Sequence, residues 1–121
     1  MNKTFLVVDD SASMRQLISF AVQDAGYDVV LAENGKDAIA KLSGAKISMV
    51  ITDLNMPDMD GIELIAKLRN MPDHKFTPIV MLTTEAQEEI MMQGKAAGAS
   101  GWIVKPFTPE QLMKVVRKFL K

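Results

Sequence analysis

Phe5-Leu6-Val7-Val8-Asp9-Asp10-Ser11 places four apolar residues in a row, then two carboxylates and a hydroxyl. The run does not alternate polar with apolar. A strand built from it is therefore covered on both faces, as in a parallel sheet lying under helices. The same texture returns at Val29-Val30-Leu31-Ala32, Met49-Val50-Ile51, Ile79-Val80-Met81-Leu82 and Trp102-Ile103-Val104. Between these runs the apolar spacing becomes helical. Met14, Leu17, Ile18, Ala21, Val22 and Ala25 follow i, i+3, i+4, i+7, and Leu112, Val115, Val116 and Phe119 repeat the pattern. Ala38-Ile39-Leu42 and Ile62-Ile65-Leu68 are weaker instances. Ser11 is a predicted helix cap, Gly26 a helix terminator, Asn34-Gly35 a turn, and Thr108-Pro109 a cap followed by a first-turn proline. The prolines of Met71-Pro72-Asp73-His74-Lys75-Phe76-Thr77-Pro78 make that stretch the one longer loop. Five strands thus alternate with five helices. This (βα)5 order predicts an α/β domain with helices on both faces of a parallel sheet.

Composition narrows the function classes. The chain has 121 residues, 14 basic and 15 acidic, with a formal net charge of −1 and no cysteine. That length suits one domain spanning residues 1–121, with no output domain attached. Absent thiols exclude disulfides and thiolate chemistry, and the balanced charge gives no electrostatic case for nucleic acid or an anionic membrane. The N-terminus is no signal peptide, and no apolar stretch approaches the roughly 20 residues that span a bilayer. A cytoplasmic domain is expected. Dinucleotide and P-loop phosphate cradles are missing from the sequence. His74, the single histidine, is predicted to be a solvated loop residue, and most of the ten methionines core filler.

Four of the five apolar runs are followed by a reactive polar group: Asp9 and Asp10, Asp53, Thr83, and Lys105. Singly, each reads as a turn residue, a helix cap or a solvated side chain, and Thr83-Thr84-Glu85 resembles a capping box. In an open parallel sheet, however, all carboxyl ends share one edge, where ligands bind. If strands one and three are neighbours, Asp9, Asp10 and Asp53 converge there. Three such carboxylates repel and require neutralisation, by Lys105 and by a hard divalent cation such as Mg²⁺. With no histidine or cysteine base, phosphoryl transfer fits this set better than amide hydrolysis, and an aspartate can itself become the acyl phosphate. Asp53, central in the set, is the candidate acceptor.

Leu6-Val7-Val8-Asp9-Asp10, the stretch from Thr52-Asp53 to Asp60-Gly61, Thr83-Thr84, and Gly98-Ala99-Ser100-Gly101-Trp102-Ile103-Val104-Lys105-Pro106-Phe107 resemble the receiver domains of two-component response regulators, nearest to single-domain chemotaxis regulators. The resemblance covers the whole chain. It implies a flavodoxin-like, doubly wound sheet in the order 2-1-3-4-5. It implies that Asp53 takes a phosphoryl group from a histidine kinase. Mg²⁺ would be held by Asp10, Asp53 and the backbone carbonyl of Asn55, with Asp9 acting partly through water. Lys105 would pair with the phosphoryl oxygens and Thr83 would hydrogen-bond one of them. A cis Lys105–Pro106 bond would aim the lysine. Trp102 would be the aromatic switch, and Asn55 and Glu85 would tune hydrolysis of the aspartyl phosphate. Trp102 stands where Tyr or Phe is usual, so its alternative is a permanently half-exposed anchor. Leu54 stands where such regulators commonly have Trp.

The expected function is a phosphorylation-dependent signalling switch, not an enzyme beyond its own phosphorylation and dephosphorylation. Its output surface would be the fourth helix, fifth strand and fifth helix. Implied partners of this monomer are the kinase, a flagellar motor switch protein and a phosphatase. Rival readings are a phosphorelay intermediate or phosphate sink, a phosphate-independent docking module, and a metal-dependent hydrolase of small phosphate esters.

Overall fold

The apolar runs form one five-stranded parallel sheet in the order β2-β1-β3-β4-β5. The structure, a computed structural model, describes residues 3–42, 46–84 and 88–120. The elements are β1 (Thr4–Val8), α1 (Ala12–Asp24), β2 (Asp28–Ala32), α2 (Gly35–Leu42), β3 (Met49–Asp53), α3 (Gly61–Arg69), β4 (Ile79–Thr83), α4 (Glu88–Ala97), β5 (Gly101–Val104) and α5 (Pro109–Phe119). The chain order and the 2-1-3-4-5 sheet are those expected of a flavodoxin-like domain.

Strand parity splits the core into two layers. Leu6, Val8, Val50, Ile79 and Met81 face Ala38, Leu64, Ile65 and Leu68 of α2 and α3. Phe5, Val7, Met49, Ile51, Val80 and Leu82 face Ile18 and Val22 of α1 and Leu112 and Val116 of α5. Burying both faces of β1, β3 and β4 removes the most apolar stretches from water, at about 25 cal/mol per Å². The caps fall where the sequence placed them. Ser11 accepts the Met14 N–H, and Thr108 forms a reciprocal capping box with Gln111. Gly26 leaves α1 at φ +97°, a conformation that other residues rarely adopt.

Two expectations need correction. The fifth run was predicted to be covered on both faces, but β5 buries Gly101 and Ile103 and exposes Trp102 and Val104. It is the sheet edge, and α5 closes on one side of it so tightly that a Cβ on Gly101 would meet the Phe119 ring at 2.5 Å. β2, the other edge strand, is also only partly covered. His74 was predicted to be solvated but is buried, its Nδ1 lying 3.3 Å from the Thr77 hydroxyl. The cause is Arg69. Its guanidinium donates to the carbonyls of His74, Thr77 and Gly98 at 2.7–3.0 Å, drawing the loop after α3 in against the α4–β5 turn.

Candidate functional site

Register brings the polar groups together. Val8 pairs with Thr52, so Asp9, one residue beyond, stands beside Asp53. Asp53 pairs with Leu82, and Thr83 pairs with Val104, so Lys105 follows next to the end of β4. The Lys105 N–H donates to the Thr83 carbonyl at 2.7 Å, locking that edge. The Lys105–Pro106 peptide is cis.

The Lys105 ammonium bridges two carboxylates, at 3.1 Å from Asp9 Oδ2 and 3.2 Å from Asp53 Oδ1. Asp53 Oδ1 also accepts the Leu54 N–H at 2.9 Å, whereas its second oxygen takes part in neither contact. Asp9 is fully buried, Asp53 nearly so, and Asp10 is exposed. Burial pushes the Asp53 carboxyl above its ordinary value, and the Asp9 charge adds to this, more than Lys105 offsets. Burial works against the charge on Lys105 too, but the neighbouring Asp53 and Asp9 carboxylates prevail and raise its pKa. The lysine therefore stays charged.

Asp9, Asp10 and Asp53 each offer an oxygen, and these atoms lie within 4.8 Å of one another. The donor set is all oxygen and anionic, one member facing solvent where waters can complete a shell. That suits a hard divalent cation such as Mg²⁺ and not a soft metal. Two close carboxylates against one lysine leave the pocket under-neutralised without a cation. In Mg²⁺-free buffer Asp53→Asn is accordingly expected to raise the melting temperature by a few degrees. Added Mg²⁺ should stabilise the wild type and leave the variant almost unmoved. A variant that melts below the wild type without metal would contradict this repulsion.

The remaining predicted residues spread outward. Thr83 is fully buried at the end of β4, and Asn55 is exposed in the loop leaving β3. Glu85 lies outside the described residues. Trp102, 38% exposed, lies three residues before Lys105 on the edge strand β5. It borders a cleft of about 310 Å³ shared with Lys95 and Ala99 at the end of α4 and with Val115, Lys118 and Phe119 of α5.

Three contributions were not read from the sequence, although Leu54 and Gly61 lie in the stretch that carries the family resemblance. Leu54 supplies a backbone N–H to Asp53, a role its side chain does not advertise. Gly61 allows the chain to return against the Asp53 carbonyl. Arg15 holds the Asp9 carbonyl at 2.7 Å, and its helical spacing gave no hint of that reach.

Comparison with known proteins agrees with this geometry. The sequence pattern of the family described as "Response regulator receiver domain" matches residues 5–117. "Chemotaxis protein CheY1" of Helicobacter pylori is 44% identical over 109 residues, covering 88% of each chain. "Transcriptional regulatory protein ResD" of Bacillus subtilis is 40% identical over 116 residues, 96% of this chain but 47% of that longer protein. The solved structure of chemotaxis protein CheY4 of Vibrio cholerae superposes with a TM-score of 0.96 at 48% identity, covering 99% of this chain and all of that one. A parallel sheet in CheY-like order, an edge that gathers three aspartates and a lysine, and a family match over nearly the whole length lead to one conclusion: the chain belongs to the receiver-domain family of two-component response regulators.

Proposed function

We propose that this receiver domain is a signalling switch in which Asp53 accepts a phosphoryl group from a phosphohistidine on a partner kinase. The observation that carries this reading is the Lys105 ammonium set between Asp9 and Asp53 at the mouth of the acidic cluster. An oxygen of Asp53 attacks phosphorus, the P–N bond to the donor's imidazole breaks, and the imidazole leaves with the bonding pair and takes up a proton. The Asp53 oxygen clear of both Leu54 and Lys105 is available for the new bond. Lys105 then shifts its charge from carboxylate to phosphoryl oxygens, and the Thr83 hydroxyl reaches one of them.

Asp10, Asp53 and the Asn55 carbonyl would hold Mg²⁺, with Asp9 acting partly through water. When bound, the cation offsets negative charge gathering on the transferring oxygens. Asn55 and Glu85 would set how readily water regains the phosphoryl group.

Phosphorylation adds roughly −1.5 to −2 charges at the sheet edge. Output would run through Thr83 to Trp102 and the α4–β5–α5 surface, where the half-exposed indole borders its cleft. Signalling would then proceed by protein contact, without catalysis on outside substrates. Chemotaxis relatives make a flagellar motor switch component the favoured target, with a phosphatase to reset the signal. Incubation with a phosphohistidine-bearing kinase domain and Mg²⁺ tests the reading. Label should pass to this chain and then be lost to water. Onward passage to a histidine phosphotransfer domain would replace the motor reading by a relay, and no uptake of label would overturn the switch.

A further inference from the structure

Arg15 has no part in the chemistry above, yet it touches the acidic cluster from behind. It stands in the first turn of α1, and its Nη1 donates to the main-chain carbonyl of Asp9 at 2.7 Å. The rest of Asp9 is equally engaged. Its N–H donates to the Ala32 carbonyl at 3.1 Å, Oδ1 accepts the Ser11 N–H at 2.9 Å, and Oδ2 accepts from Lys105 at 3.1 Å. Asp10 differs. It is exposed, and among the described residues its carboxylate has no hydrogen-bond partner. The backbone that carries Asp10 sets the point and direction from which its side chain departs, and so which rotamers can reach Asp53. The Asp9 carbonyl belongs to the peptide plane linking Asp9 to Asp10, so a group that fixes the carbonyl fixes the plane from which Asp10 departs.

We infer that Arg15 is a positioning residue for the divalent-cation site: by holding the Asp9 carbonyl it aims the Asp10 carboxylate toward Asp53. The inference rests on the reading of Asp10 and Asp53 as cation ligands. Groups that orient metal ligands typically matter about 10- to 100-fold in affinity. A bare charge at the same place would act with the opposite sign. Removing a cation near an anionic site strengthens its pull on Mg²⁺, whereas removing a positioning group weakens binding.

The sign is therefore the test. Mg²⁺ binding to the full chain is measured by titration calorimetry for wild type, Arg15→Met and Arg15→Lys, with circular dichroism to confirm folding. The expected result is a dissociation constant about tenfold higher in Arg15→Met. Arg15→Lys, which retains the charge and one donor, should fall in between. Adduct formation from acetyl phosphate should show the defect chiefly in the Mg²⁺ concentration for half-maximal rate. Unchanged or tighter Mg²⁺ binding by Arg15→Met would overturn the inference. Should that variant not fold, Arg15→Lys decides alone, because charge by itself predicts no change there and positioning predicts weaker binding. A wild type without any Mg²⁺ site would instead remove the cation reading and this inference with it. A wild type that binds while Arg15→Met binds equally well removes only the inference.

Discussion

Gly61→Ala is expected to lower the melting temperature by roughly 10 °C and to weaken Mg²⁺ binding at the same time. A Cβ built on Gly61 would lie 2.3 Å from the Asp53 carbonyl oxygen and 2.9 Å from the Leu54 Cα. Both obstacles are backbone, so no side-chain rotation relieves the clash. The strands or the loop must move. Overpacking of this kind costs about 3 kcal/mol, and for a domain of this size each kcal/mol shifts the melting point by about 4 °C. The same displacement reaches the site. The Gly61 N–H donates to the Leu54 carbonyl at 2.8 Å, and the Leu54 N–H holds Asp53 Oδ1 at 2.9 Å, so moving the glycine turns the carboxylate. Gly26→Ala is the control. It sits at φ +97° with open space around it, so only backbone strain applies, about 1 kcal/mol. Thermal unfolding of both variants separates the two causes. If Gly61→Ala melts no lower than Gly26→Ala, close approach is not what this position requires.

Lys105→Met is the second large effect, and it depends on pH. The substitution leaves the fully buried Asp9 carboxylate and the Asp53 carboxylate facing each other without their shared cation. Breaking one partner out of a buried ion pair costs about 3 kcal/mol at neutral pH. The sign follows from Asp53. Its folded pKa is already raised by burial and by Asp9, so the fold favours the protonated form. Stability from this group is lost as pH rises from the unfolded carboxylate range through the folded value. Lys105 opposes that shift, and its removal extends the window upward. In metal-free buffer the variant should therefore match the wild type closely near pH 4 and fall progressively below it toward pH 8. Denaturant unfolding across that range measures the gap. A gap independent of pH would contradict the electrostatic account. Phosphoryl uptake should fail in the variant even where it is folded and Mg²⁺ is supplied, because the ammonium that moves from the Asp53 carboxylate to the phosphoryl oxygens is gone.

The central sheet was legible because β1, β3 and β4 are continuous apolar runs, and the structure buries both faces of each. What such runs do not encode is their neighbours. Trp102-Ile103-Val104 has the same texture as Met49-Val50-Ile51, yet one lies at the sheet edge and the other at its centre. Exposure of Trp102 and Val104 is a consequence of strand order, which is set by tertiary packing. His74 misled for a related reason. Its neighbours Asp73 and Lys75 are polar, and its burial comes from an arginine five residues earlier in the chain. The acidic cluster was visible as carboxylates at strand ends, but their meeting depended on β1 pairing with β3, supplied by the family resemblance. Arg15 and Gly61 act on backbone carbonyls. Neither contact shows in apolar spacing, so the sequence marked Gly61 only as the end of the stretch that carries the family resemblance and left Arg15 unmarked.

The central claim is that Asp53 becomes an acyl phosphate in a cation-dependent pocket. Intact-mass spectrometry after acetyl phosphate, with and without Mg²⁺, on wild type and Asp53→Asn tests it most directly. The account predicts a single phosphoryl adduct on the wild type, formed with Mg²⁺ and not formed when the metal is chelated beforehand, and none on the variant. An adduct of equal yield on both proteins would place the acceptor elsewhere and contradict the account.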